Sequence, residues 1–261
     1  MNVRHCILLV IMTAGISSTC FMDPFPQVQT YHLFADQRSA FNLSRFMDVV
    51  SNVGFLLAGI LGLLQIKRTR SLPTPLQHWL QYYSLSLIFV AVGSAWYHHA
   101  PSNHSLIWDR LPMTVSFSFF FALITATHLS LAFAKKILPM LLLIGIGVTT
   151  YWYLTELRGE GDLRFYAAFQ FLGLGLACLI LAMFPARLLN KTPLVMTVLL
   201  YLLAKGCEMA DTLLFEFTQS ISGHTLKHLI SALGAYCVIQ SVPVQYASAH
   251  QSTFPECETG R

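Results

Sequence analysis

Apolar residues along this chain gather into long runs parted by short polar links, and the pattern predicts eight membrane-spanning helices near 4-22, 46-66, 79-98, 107-132, 137-155, 165-184, 194-216 and 223-243. A helix needs about 20 residues to cross roughly 30 Å of hydrocarbon, and most of these runs supply that length. The links collect Pro, Lys, Arg, Ser and Asn, as in Lys67 to Pro75 and Arg187 to Pro193. The longest polar stretch, Asp23 to Arg45, reads as one loop or surface helix, and the tail after Pro243 reads as disordered. No internal repeat breaks the series.

Composition agrees with the pattern and excludes a soluble domain. Hydrophobic residues make up 55% of the chain and charged ones only 11%, where a soluble domain carries roughly a quarter charged. The formal net charge of +4 does not imply a nucleic-acid partner, because its placement follows the membrane. Arg4, the trio Lys67, Arg68 and Arg70, the pair Lys135 and Lys136, and Arg187 with Lys191 all fall on one face of the expected topology. Lys and Arg in short links mark the cytoplasmic side, which puts Asp23, Asp36, Glu156, Glu160 and Asp162 on the other.

The first run has two readings. Met1 to His5 is a short basic start, Cys6 to Ile16 an apolar core and Ser17 to Thr19 small residues, which describes a secretory signal as well as a spanning helix. Lipid attachment at Cys20 is the weaker option, since Thr19 is an unusual neighbour for such a site. The cysteines at 6, 20, 178, 207, 237 and 257 form no CxxC pair, so they read as small apolar groups.

An ionisable group inside a bilayer costs at least about 2.5 to 3.5 kcal/mol on insertion scales, so each needs a partner or a purpose. Three places break the apolar pattern: Ser94 to Asp109 (SAWYHHAPSNHSLIWD), the set Lys205, Glu208 and Asp211, and SGHTLKH with His224 and His228. His224 and His228 are four apart, so a helix presents both rings on one face one turn apart. Ser94 and His98 repeat that spacing. In the alternating topology the third span ends and the eighth begins on the same side, which brings His98, His224 and His228 to similar depth. Three imidazoles with water in the fourth position describe an open, catalytic zinc site. The bland alternative is interfacial histidines facing water. His99 follows His98 and so points about 100° away; His104 in the loop and His78 and His128 toward the cytoplasmic ends of their spans do not read as ligands, and His5, His32 and His250 read as solvated. Lys205 and Glu208, three apart, read as an ion pair along one helix face, with Glu208 or Asp211 orienting a histidine as the functional alternative.

The set Ser94-x3-His98, Asp109 followed by Leu111-Pro112-Met113, and His224-x3-His228 resembles the alkaline ceramidase family, part of a superfamily of seven-helix membrane hydrolases that includes the adiponectin receptors. The resemblance runs from about Tyr31 to Pro243, and Met47 to Phe55 (MDVVSNVGF) is similar to the family's first core helix, with Ser51 and Asn52 at its serine-asparagine pair. It implies zinc held by His98, His224 and His228, with Ser94 and Asp109 assisting. It also implies a seven-helix core over 46-243, to which 1-22 is an added helix or signal segment, 23-45 an extracytoplasmic loop and 244-261 a cytoplasmic tail. The family's acidic calcium-binding stretch is replaced by ADQRSAFNLSRFMD, with Arg45 where a glutamate stands in the family, so calcium regulation does not carry over. ADQR, WDRLPM and SGHTLKH are similar to bacterial relatives.

The expected activity is zinc-dependent hydrolysis of the amide of ceramide or another N-acyl lipid, in the cytoplasmic membrane with the site toward the periplasm if bacterial, or in an endomembrane with the site toward the lumen if eukaryotic. Asp109 would move the proton, Ser94 would donate to the oxyanion, and residues such as Met113 and Phe117 would line an acyl-chain cavity unless they are plain packing. Two other readings stay open: a haem-binding electron-transfer protein, and a receptor-like or transport protein braced by a structural metal.

Overall fold

The computed structural model describes residues 2–67 and 72–243, and among them the protein is an all-α bundle without a β-strand. Its helices are α1 (Val3–Phe21), α2 (Phe46–Val50), α3 (Val53–Lys67), α4 (Thr74–His99), α5 (Asn103–His128), α6 (Leu131–Leu157), α7 (Arg164–Met183), α8 (Lys191–Met209), α9 (Asp211–Thr218) and α10 (Gly223–Gln240). Each of the eight expected spans is helical. The expected disordered tail, and Arg68 and Arg70 of the basic link, lie outside the described residues.

Six segments are long and apolar enough to cross a membrane: α1, α2 with α3, α5, α6, α7 and α8. Six of the eight expected spans thus meet that measure by length and composition among the described residues. The two that fall short, α4 and α10, are the helices that carry the histidines. They bury Ser84, Ser86, Ser94, His98, His224, Thr225 and His228 against their neighbours, so their polar residues face the protein interior rather than lipid. The outer faces remain apolar. Val92, Phe89, Leu143 and Leu203 are all exposed, a surface suited to lipid rather than water.

Short links make neighbouring helices antiparallel. Between α4 and α5 only Ala100 to Ser102 intervene, and Ser102 starts α5 with a reciprocal cap in which its side chain and that of Ser105 each accept from the other's backbone N–H. Gly93 then lets the two helices meet closely: a Cβ there would lie 2.0 Å from the Trp108 carbonyl oxygen. This contact sets Ser94 beside Asp109.

Two helices are interrupted where the chemistry sits. Between α2 and α3, Ser51 Oγ and Asn52 Nδ2 donate to the backbone oxygen of Asp48 at 3.1 and 2.8 Å, and such local bonds compete with the helical ladder. Between α8 and α9 the chain breaks at Ala210, which frees Asp211 to face the start of α10. There Gly223 is required, because a Cβ would lie 2.1 Å from the Cys207 carbonyl oxygen.

The segment from Asp23 to Arg45 is the loop of the two expected forms, and it is held against the bundle. After one 3-10 turn at Gln29–His32 it folds down over the bundle, burying Phe34 and Asp36. Ala35 N–H donates to Asp211 Oδ2 at 2.9 Å, and Arg38 bridges Asp36 to the Ser220 carbonyl. Burial would raise the Asp36 carboxyl, but the hydrogen bonds and charge of Arg38 outweigh it and hold the group below the usual carboxylate range. The segment is anchored because apolar Phe34 gains by leaving water, while Arg38 offsets the cost of burying Asp36.

Candidate metal centre

Three buried histidines converge where α4 ends and α10 begins. The rings of His98, His224 and His228 lie 4.6 to 4.9 Å apart by their centroids, and one nitrogen of each falls within 4.8 Å of the others. His98 Nε2 and His224 Nε2 are 3.3 Å apart. Two nitrogens on one tetrahedral zinc, each about 2.05 Å from the ion, stand about 3.3 Å from one another. The sequence spacing therefore brought together the three residues it singled out, and among the described residues no other His, Cys, Asp or Glu joins them.

The tautomer of His228 can be read from its neighbours. The Ser51 hydroxyl donates to the Asp48 carbonyl, so it receives from His228 Nδ1–H at 2.7 Å, and the same Nδ1–H is aimed at the Asp48 backbone oxygen. With the proton on Nδ1, the lone pair lies on Nε2, which is buried without a partner. An unsatisfied buried acceptor is costly, and here it faces the other two rings. The donor set therefore fits a borderline divalent cation: neutral nitrogens, orphaned lone pair, one ring already oriented by its other nitrogen.

The surroundings divide into a packed shell and a charged one. Phe34 lies over the rings of His98 and His224 at 4.7 and 4.5 Å, and Tyr97 packs against His98 at 4.8 Å. Lys227 Nζ is 2.8 Å from His224 Nε2 and 3.2 Å from Glu208 Oε1, and Lys205 pairs with the other Glu208 oxygen. Asp211 holds His224 by its backbone, accepting from the amide N–H at 2.7 Å. Of the second set expected from sequence, Asp211 touches a ligand residue directly, though not its ring, while Glu208 acts through Lys227 and Lys205 through Glu208.

Behind the histidines opens a cavity of about 300 Å³. Ser94, Asp109 and His228 line it, as do the apolar side chains of Met113, Phe117 and Phe121. Ser94 hydrogen-bonds the Asp109 carboxylate. No family model matches the sequence, and no curated protein matches it.

Sequence reasoning missed three participants. Asp48 is fully buried, and its Oδ1 accepts from Thr225 at 2.7 Å and Ser222 at 3.2 Å, placing an anion at the start of α10, where a helix favours one. An acid inside an apolar run was the available signal. Lys227 lies between the paired histidines and was readable only as a solvated helix end. Phe34 gave no signal, because an aromatic in a polar loop is common. His128 Nδ1 bonds the Phe184 carbonyl and His104 bonds Tyr153, away from the three ligands, whereas His32, expected to be solvated, is half-buried and bonds Tyr97 and Asn103.

Proposed function

We propose that this chain is a zinc-dependent membrane hydrolase that cleaves the amide bond of ceramide or a related N-acyl lipid, as its resemblance to the alkaline ceramidases implies. The observation that carries the reading is the junction of three ligand nitrogens with a cavity lined by an acid, a hydroxyl and many apolar side chains. A bound zinc would supply an acidified water and a Lewis acid for the carbonyl. Asp109 is the group placed to accept the proton from the attacking water and return it to the leaving amine. Ser94 holds Asp109 in the resting state; to donate to the oxyanion it must exchange that bond for one to substrate. Lys227, already beside His224, adds a positive charge there. The apolar part of the cavity takes the acyl chain, excluding water from it.

Haem is disfavoured by the same geometry, since a porphyrin bound between two axial histidines needs its ring to pass between them, and these imidazoles touch at 3.3 Å. Metal analysis of the purified protein, with release of fatty acid from N-acyl lipids as the activity readout, tests the proposal. His224→Ala and His228→Ala are expected to lose both metal and turnover, and Asp109→Asn to keep metal while turnover falls at least about 100-fold. Full activity in Asp109→Asn would remove that residue from the chemistry. A metal-free wild-type protein would defeat the reading.

A further inference from the structure

Arg110 is a buried cation with no carboxylate to pair it. Its side chain belongs to a residue only 5% exposed, and the guanidinium is stacked among aromatic rings, 4.1 Å from Trp152, 4.5 Å from Tyr166 and 5.8 Å from Tyr31. Nη2 donates to the neutral Gln27 Oε1 at 2.6 Å, and Nη1 has no hydrogen-bond partner. Among the described residues no ion pair includes Arg110: Glu208 is committed to Lys205 and Lys227, and Glu156, beyond Gln27 and Trp152, accepts from the Gln27 N–H, Trp152 Nε1 and Asn103 Nδ2. Asp109, its neighbour in sequence, lies within range of its charge but makes no ion pair with it.

Aromatic faces soften the burial of a guanidinium and fix its plane, but they do not neutralise it. A cation kept unpaired inside a membrane bundle is a functional group by default, and the missing partner is an anion. Arg110 lines the same cavity as Ser94, Asp109 and His228. Its planar fork matches the two oxygens of a carboxylate or phosphate. We propose that Arg110 is an oxyanion-binding subsite that takes a carboxylate or phosphate in the head of the lipid held by this cavity. The substrate class of the proposed hydrolase is thereby narrowed to anionic N-acyl lipids, a step that rests on that reading for the chemistry though not for the binding.

Binding without turnover separates the two. The full-length protein, treated with chelator so that no metal contributes, is titrated in detergent with three fluorescent lipids of one acyl chain: a neutral N-acyl ethanolamine, an N-acyl amino acid and an N-acyl ethanolamine phosphate. Wild type is expected to bind one or both oxyanionic lipids at least about tenfold more tightly than the neutral one, the two arms telling carboxylate from phosphate. Arg110→Gln should bind all three alike, and Arg110→Lys should retain part of the preference. Equal affinity of wild type for the neutral and anionic lipids overturns the subsite, as does an unchanged preference in Arg110→Gln. If Arg110→Gln does not fold, the wild-type ratios and Arg110→Lys still decide. A protein that discriminates but hydrolyses nothing keeps the subsite and loses the hydrolase; one that hydrolyses neutral ceramide equally well without the guanidinium does the reverse.

Discussion

Replacing Ser51 by alanine isolates the part that one hydroxyl plays in presenting a ligand lone pair. Ser51 Oγ receives His228 Nδ1–H at 2.7 Å while donating to Asp48 at 3.1 Å, which holds the imidazole proton away from the ion. Losing a partner of this kind typically lowers metal affinity about 10- to 100-fold, or about 1.4 to 2.7 kcal/mol. Leaving a buried N–H unsatisfied costs a similar amount, about 1 to 3 kcal/mol. The Asp48 carbonyl is within reach of the same N–H and softens the loss, whereas Asn52 Nδ2, 3.5 Å away, is itself a donor and cannot. Ser51→Ala should therefore weaken zinc binding nearer to tenfold, measured by competition with a chromophoric chelator on detergent-solubilised protein. Its helical circular dichroism should not change, because the Gly54 and Phe55 backbone bonds that restart the helix do not involve the side chain. Zinc affinity equal to wild type would refute the assignment of the Nδ1 proton and with it the account of how His228 is oriented.

Other outcomes follow from the packing and the charges. Gly93→Ala should destabilise the protein by about 1 to 3 kcal/mol or more, since the neighbour it would meet is backbone, and a thermal melt in detergent should show it together with reduced turnover as Ser94 and Asp109 separate. Lys227→Met should raise metal affinity severalfold, because an ammonium now competes for the His224 lone pair, while lowering turnover; unchanged affinity would show that the lysine leaves the ring when metal binds. The Asp36–Arg38 clasp has a carboxyl held below its ordinary value, so its contribution to anchoring the 23–45 segment is present above about pH 4 and is lost as pH falls through the lowered value. Hydrogen exchange at Ala35 across that range should report the release, and exchange that does not change would place the anchoring elsewhere.

Much of the molecule was legible in the sequence because lipid imposes a simple grammar. Runs such as Leu131 to Leu157 admit little but a helix, and the alternation of spans was enough to carry His98 to the side where α10 begins. What stayed hidden were features set by tertiary contact. That Ser51 would touch His228 depends on how the turn between α2 and α3 meets α10, which apolar periodicity does not register. The Asp23 to Arg45 stretch looked solvated because its polar residues outnumber the apolar ones, yet the two that decide its placement, Phe34 and Asp36, are buried by contacts with α4, α9 and α10. The polarity of α4 and α10 was visible, and it marks the site.

The junction of His98 with His224 joins positions 126 residues apart, one on the fourth helix and the other on the tenth. During synthesis the ligand set stays incomplete until the closing hairpin enters the membrane, so nascent chains truncated before Gly223 cannot capture an ion. On the proposed reading, loading would be a late step of assembly, and the ion would join the middle third of the chain to its last third.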